Sequence, residues 1–125
     1  MSNELAERCN VIEECYEFML AFAGQGLPRE ASGRDGLIRD FLSRAAHAME
    51  GLEHAVPSTD PYLAFREVIA RDARDSLAAV QLVLAQPAIG SQLIDNLNAS
   101  IHLRALLTDL FLIDEILKGS PQDFA

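Results

Sequence analysis

Polar side chains that could do chemistry fall at helical spacing in segments that are otherwise apolar. Arg104, Thr108 and Glu115 follow one another at intervals of four and seven residues in a leucine-rich segment. Arg8 lies on the apolar side of the first helical segment, and Arg66 lies at the edge of the apolar side of a later one. Because an unpaired polar group in a protein interior costs free energy, we expect these five residues to form an interior polar cluster.

Two interpretations of this cluster remain open. In an up-down-up-down bundle the first and fourth helices run antiparallel, which brings Arg8 level with Glu115 and places Arg66 at the same end. The first interpretation is a buried ion pair that fixes the register of the helices. The second is a pocket in which the arginine forks bind an anionic small ligand.

Metal-ligand residue types form one compact set, His47, Glu50 and His54. Spacings of three, four and seven residues place all three on one face of a helix. That face is roughly opposite the apolar side of the same segment, so we expect it to be solvated and to hold no metal, with a surface metal site as the weaker alternative. The chain contains no Glu-x-x-His, the motif that four-helix bundles use to hold two iron ions, and no cofactor is expected.

Signatures of the common enzyme classes are missing from the sequence. It contains no Gly-x-Ser-x-Gly, no phosphate-binding glycine loop, no Gly-x-Gly-x-x-Gly and no His-Glu-x-x-His. Cys9 and Cys15 match neither a redox pair nor a zinc knuckle, and we expect packed, reduced thiols. These observations favour a role in binding over catalysis.

Composition and net charge argue against several classes of binding partner. The 125 residues carry a formal net charge of −9, and Lys118 is the single lysine, which argues against nucleic acid and anionic membrane surfaces as partners. The N-terminus lacks the pattern of a signal peptide, and no apolar run approaches the roughly 20 residues of a membrane span. A cytoplasmic location is expected.

Acidic residues crowd the outer face of the first helical segment, where they surround Asn10 without a basic residue on that side. They are Glu7, Glu13, Glu14 and Glu17. One interpretation is a solvated face that keeps the protein in solution, and the other is a docking face for a basic protein partner.

Periodicity, breakers and caps predict four helices and no strand. They span residues 3–23, 34–55, 61–85 and 91–118 of a single domain that covers 1–125. The connections after the second and third helices are short, which favours antiparallel neighbours. The predicted fold is an all-α, up-down-up-down four-helix bundle.

The fourth predicted helix is apolar on two sides, whereas one bundle core requires only one apolar stripe. The first stripe contains Ile94, Leu97, Ile101, Ala105 and Leu112, and the second contains Leu103, Leu106, Leu110, Ile113 and Leu117. We expect the first to face the core and the second to form a homodimer interface, because an uncovered apolar patch of that size is unusual in a monomer. The alternative is that the chain itself covers the second stripe.

Together these patterns predict a non-enzymatic protein-interaction module that acts as a helical homodimer, in the manner of an adaptor, assembly factor or regulator. A bundle that binds a small ligand or a metal is the alternative.

Overall fold

The structure, a computed structural model, describes residues 3–24 and 34–119, and within these ranges it is all-α, as predicted. The five α-helices are α1 (Asn3–Gly24), α2 (Arg34–Met49), α3 (Leu63–Leu84), α4 (Ser91–Asn98) and α5 (Ile101–Lys118). A short 3-10 helix, Leu52–Ala55, lies between α2 and α3. None of the described helices combines the length and apolarity that a membrane crossing requires.

Helices α1, α2 and α3 alternate in direction. Arg8, near the start of α1, contacts the end of α2 at Ala48, while Phe18 stacks on Phe41 of α2 with ring centroids 4.3 Å apart. Arg39, near the start of α2, contacts the last carbonyls of α3 in the same way. This part of the chain follows the predicted up-down-up order.

The second helix ends earlier than predicted. It stops at Met49 rather than continuing to residue 55, because Gly51 adopts a left-handed conformation with φ of 61°. Glycine reaches this conformation without a steric penalty and commonly ends helices. A Cβ at this position would also lie 3.3 Å from Cδ2 of His54, so glycine suits both the backbone and the space.

The predicted fourth helix, 91–118, is two helices, which overturns the simple four-helix bundle. The helix breaks after Asn98, and Ser100 takes an extended conformation with ψ of 128°. Asn and Ser have lower helix propensity than Ala or Leu, which weakens a helix where they cluster. The break lets α4 pack mainly on α1 while α5 packs mainly on α3.

The core lies where these helices meet. Helix α1 contributes a row of buried side chains that includes Leu5, Ile12 and Met19. Helix α2 buries Leu42 and leaves Leu37 half exposed. Helix α3 contributes a narrower row of small and medium side chains to the same core: Ile69, Ala73, Ser76, Val80 and Val83.

Candidate functional site

The stripe of α5 that was predicted to be a dimer interface is core. Leu103, Leu106, Leu110, Ile113 and Leu117 are all buried within the single chain, none more than 5% exposed. They face inward because α5 lies against α3 with this side. A side chain that its own chain already covers leaves no apolar surface for a second copy, so the prediction that this stripe is exposed is wrong.

The opposite side of α5 carries the exposed apolar face. Ile101 is 74% exposed, Leu112 is 51% exposed, and Ile116 is similarly open. Their spacings of eleven and four residues, with half-buried Ala105 between them, place them within a narrow sector of the helix. We call Ile101, Ala105, Leu112 and Ile116 the α5 outer face. Ile101, Ala105 and Leu112 belong to the stripe predicted to face the core, so the two stripes have exchanged roles along α5.

Three members of the predicted interior cluster lie along one edge of this face. Arg104, Thr108 and Glu115 are exposed, so they do not enter the interior. The hydroxyl of Thr108 donates a hydrogen bond to the carbonyl of Arg104 one turn earlier, at 2.9 Å. Arg104 and Glu115 are eleven residues apart, about 16 Å along the helix, which is too far for an ion pair within one copy of α5.

Comparison with known proteins identifies no relative. No family model, no curated protein and no solved structure matches the chain. The role of the α5 outer face therefore rests on its own residues.

The two other members of the predicted cluster bind main-chain carbonyls. Arg8 donates from Nη1 to the carbonyls of Ala48 and Glu50 and forms an ion pair through Nη2 with Glu4 at 2.9 Å. These carbonyls lie where α2 ends, and the last carbonyls of a helix have no partner inside it. The negative end of the helix dipole also favours a cation there.

Arg66 binds the next part of the same connection. Its Nε donates to the carbonyls of Glu53 and Val56, both at 3.1 Å. Arg8 and Arg66 therefore do lie at the same end of the molecule, as predicted, but they hold the α2–α3 connection in place. Glu115 is exposed on the far side of α5, so the predicted cluster does not form.

The sequence placed Glu115 at the same height along the bundle as Arg8 of α1, and this height is approximately right. Asp114, the neighbour of Glu115, lies close enough to α1 to act on Cys9 and Glu13. Burial raises the pKa of Cys9 to about 12, and the Asp114 carboxylate adds to that effect. Burial and Asp114 also raise the pKa of Glu13. The axial position was predicted correctly, and the rotation of the two helices was not.

A pair of carboxyl groups between α3 and α5 was not predicted. Burial, followed by a hydrogen bond and charge repulsion from Asp72, raises the pKa of Asp109 to about 7. Oδ2 of Asp109 is sealed from solvent and has no hydrogen-bond donor among the described residues. A proton on Asp109 would link the two carboxyl groups. The sequence signal was weak, because acids at the edge of an amphipathic helix are usually solvated.

The acidic residues of α1 lie largely where the sequence placed them. Glu7, Glu14 and Glu17 are exposed, while Glu13 is partly buried against α5. The outer side of α1 therefore presents carboxylates to solvent, and Asp114 of α5 lies near its inner edge and adds to the same negative region.

The candidate metal ligands do not share a helix. His47, Glu50 and His54 are all exposed, but α2 ends at Met49, so the spacing that would align them no longer applies. No cluster of three His, Cys, Asp or Glu side chains with metal-binding geometry occurs in residues 3–24 and 34–119.

A groove of about 460 Å³ runs between α1 and α2 and is a candidate for small-molecule binding. Arg8 and Arg44 are the cations that line it. Arg8 is engaged as described above, and Arg44 pairs with Asp40 at 3.3 Å while its guanidinium lies 4.5 Å above the Phe41 ring. Both cations already have partners within the chain, which lowers the gain available from an anionic ligand.

Proposed function

We propose that this chain is a protein-interaction module that self-associates through the α5 outer face and acts as a helical homodimer. The observation that carries the proposal is the row of exposed Ile101, Leu112 and Ile116 side chains on one side of α5. Such self-association would suit a role as an adaptor, assembly factor or regulator.

The argument rests on the contiguity of the apolar side chains. Exposed leucines and isoleucines that occur singly are normal on protein surfaces and need no explanation. On α5 they succeed one another at helical spacing, with Ala105 between Ile101 and Leu112. Phe111 lies on the same edge of the helix as Arg104 and Glu115 and extends the exposed apolar surface there. Covering such a row removes apolar area from water, which is the main driving force of association.

A second copy of the chain is the occupant we propose for this face. The edge of the face carries one arginine and one glutamate, so the surface is complementary to itself in charge. Closed two-fold dimers, which use the same patch on both subunits, are the commonest oligomers. The acidic side of α1, with Glu7, Glu14 and Glu17, remains available to a basic protein partner in such a dimer.

Ligand or metal binding, the alternative function, has less support. The arginines expected to hold an anion bind main-chain carbonyls instead. Of the histidines expected to hold a metal, His47 lies in the last turn of α2, which ends at Met49, and His54 lies beyond that end.

The test introduces two negative charges on the α5 outer face. Ile101→Glu with Leu112→Glu should convert a dimer into a monomer of unchanged helicity, because neither side chain supports the core. Sedimentation equilibrium at micromolar concentration measures the mass, and circular dichroism measures the helicity. The matched control is Leu82→Glu, an equally exposed leucine on α3, which should leave the dimer intact. A wild-type chain that is monomeric throughout, or a double variant that stays dimeric, would refute the proposal.

A further inference from the structure

If the chain self-associates through α5, as proposed, the charges beside the α5 outer face determine the relative orientation of the two copies. Arg104 and Glu115 are exposed on the same edge of the face, about 16 Å apart along the helix, and Arg104 has no ion-pair partner among the described residues. We infer that two copies pair through α5 in antiparallel orientation, with Arg104 of each copy facing Glu115 of the other. The two-fold axis then passes near the midpoint between Asp109 and Leu110.

The symmetry of an antiparallel pair brings like edges together. A two-fold axis perpendicular to both helices reverses their direction but keeps each edge on the same side of the contact. The edge of one copy that carries Arg104 and Glu115 therefore meets the same edge of the other, in reversed order. Two equivalent Arg–Glu pairs form, one toward each end of the contact, and both lie on its rim.

The apolar side chains interdigitate in this register. With a rise of about 1.5 Å per residue, Ile116 of one copy falls between Ile101 and Ala105 of the other. Leu112 falls between Ala105 and Thr108 of the other copy. The small Ala105 thus stands beside the large Leu112, which is the alternation of small and large side chains that close helix packing requires.

A parallel pair would lose these relationships. A two-fold axis along the helices would bring opposite edges together, so Glu115 of one copy would lie level with the apolar Ile116 of the other. Each isoleucine and leucine of one copy would face the same residue of the other copy instead of the space between two side chains. Parallel alignment of the two helix dipoles is also unfavourable, whereas antiparallel dipoles attract.

Disulfide cross-linking tests the orientation. Ile101→Cys and Ile116→Cys are each oxidised alone and as an equal mixture, and the covalent dimer is measured on a non-reducing gel. An antiparallel pair should cross-link in the mixture only, since residue 116 of one copy lies within two residues, about 3 Å along the axis, of the level of residue 101 of the other. The native thiols give little background, because Cys9 and Cys15 are buried and burial raises the pKa of each to about 12.

Charge exchange gives a second readout. Arg104→Glu alone and Glu115→Arg alone should each raise the dimer Kd about tenfold, because each places like charges at both ends of the contact. The double variant should return to the wild-type Kd, and an equal mixture of the two single variants should form mixed dimers. Thr108→Ser, a neutral change on the same edge, is the control.

The outcomes separate this inference from the proposed function. A wild-type chain that does not dimerise refutes the proposed function. A dimer that cross-links through Ile101→Cys alone, or through neither single variant nor the mixture, keeps self-association and overturns the antiparallel orientation. Charge variants that dimerise like the wild type overturn the Arg104–Glu115 contact.

Discussion

Ser76, which is fully buried on α3, donates its hydroxyl to the main-chain carbonyl of His102 on α5 at 2.8 Å. The bond crosses the interface between the two helices and fixes their relative position near the start of α5. It also gives a buried hydroxyl the partner that it needs. Asp75 lies beside it, with its Oδ2 3.9 Å from Nδ1 of His102.

Removing that hydroxyl should weaken the α3–α5 contact. We expect Ser76→Ala to lower the free energy of unfolding by about 1 kcal/mol, since one buried hydrogen bond is lost while the His102 carbonyl keeps its helical partner. Urea denaturation measures the change. Ser43→Ala, at an exposed position of α2, should have no measurable effect, and equal effects of the two changes would contradict the assignment.

Two leucines on opposite sides of α5 should differ sharply in their contribution to stability. Leu110 is 1% exposed, so Leu110→Ala should cost about 3 kcal/mol through lost burial and the cavity left behind. Leu112→Ala should cost less than about 0.5 kcal/mol when measured at a concentration too low for self-association. Denaturant unfolding of both variants decides which stripe is core, and a reversed order would return Leu110 to the surface.

The sequence predicted the inward side of α1 and failed at α5, and the difference has a physical cause. On α1 a polar outer face stands opposite Leu5, Ile12 and Met19, so the periodicity selects one buried side. On α5 both sides are apolar, so the periodicity cannot say which one packs on α3. Only the position of the neighbouring helices decides that question.

The contacts that the arginines make could also not be predicted from the sequence. Arg8 and Arg66 were expected to pair with a carboxylate, which appears in a sequence as a residue type. Arg66 binds carbonyls instead, and Arg8 binds two carbonyls in addition to its neighbour Glu4. Every residue has a carbonyl, so the pattern carries no signal of that contact. The breaks at Gly51 and Ser100 did carry signals, a C-terminal glycine and a polar cluster, but these were outweighed by the surrounding apolar periodicity.

A third arginine offers a quantitative test of this carbonyl binding. Arg39 on α2 donates to the carbonyls of Leu84 at 3.0 Å and Gln86 at 2.7 Å, where α3 ends. Arg39→Met should lower the free energy of unfolding by about 2 kcal/mol, because hydrogen bonds from a charged donor are worth more than neutral ones. Arg71→Met, at an exposed position of α3, is the control. Equal unfolding midpoints for the two variants would show that the Arg39 bonds do not stabilise the fold.

The carboxyl pair should make stability depend on pH. The pKa of Asp109 is raised from 3.8 to about 7 in the folded chain, so the folded state retains a proton that the unfolded state has lost. Stability should therefore fall as pH rises from about 4 to about 7, and become level above that range. Asp109→Asn should flatten this slope, as measured by urea midpoints across the range.

The control for the pH prediction is Asp95→Asn, an exposed carboxylate on α4, which should retain the wild-type slope. A difference between wild type and Asp109→Asn that does not change with pH would contradict proton sharing with Asp72.

An amide in the core should be a site where substitution stabilises the protein. Asn98 is buried, and neither side-chain atom has a hydrogen-bond partner among the described residues. Replacing it with Leu, which has a similar volume, should raise the free energy of unfolding by about 1 kcal/mol, because the desolvated amide is removed. Asn96→Leu, exposed on the same helix, controls for the higher helix propensity of leucine. A loss of stability at position 98 would indicate that the amide is satisfied.

The two buried thiols of α1 allow the rate at which the helices separate to be measured by chemical labelling. With a pKa of about 12, each of Cys9 and Cys15 is a thiolate in only about one molecule in ten thousand at pH 8. A thiol reagent must therefore wait until the helices around α1 separate, and at high reagent concentration the labelling rate equals the rate of that opening. Because α2 and α4 both pack on α1, the slow step that the reagent records is the separation of α1 from both of these helices.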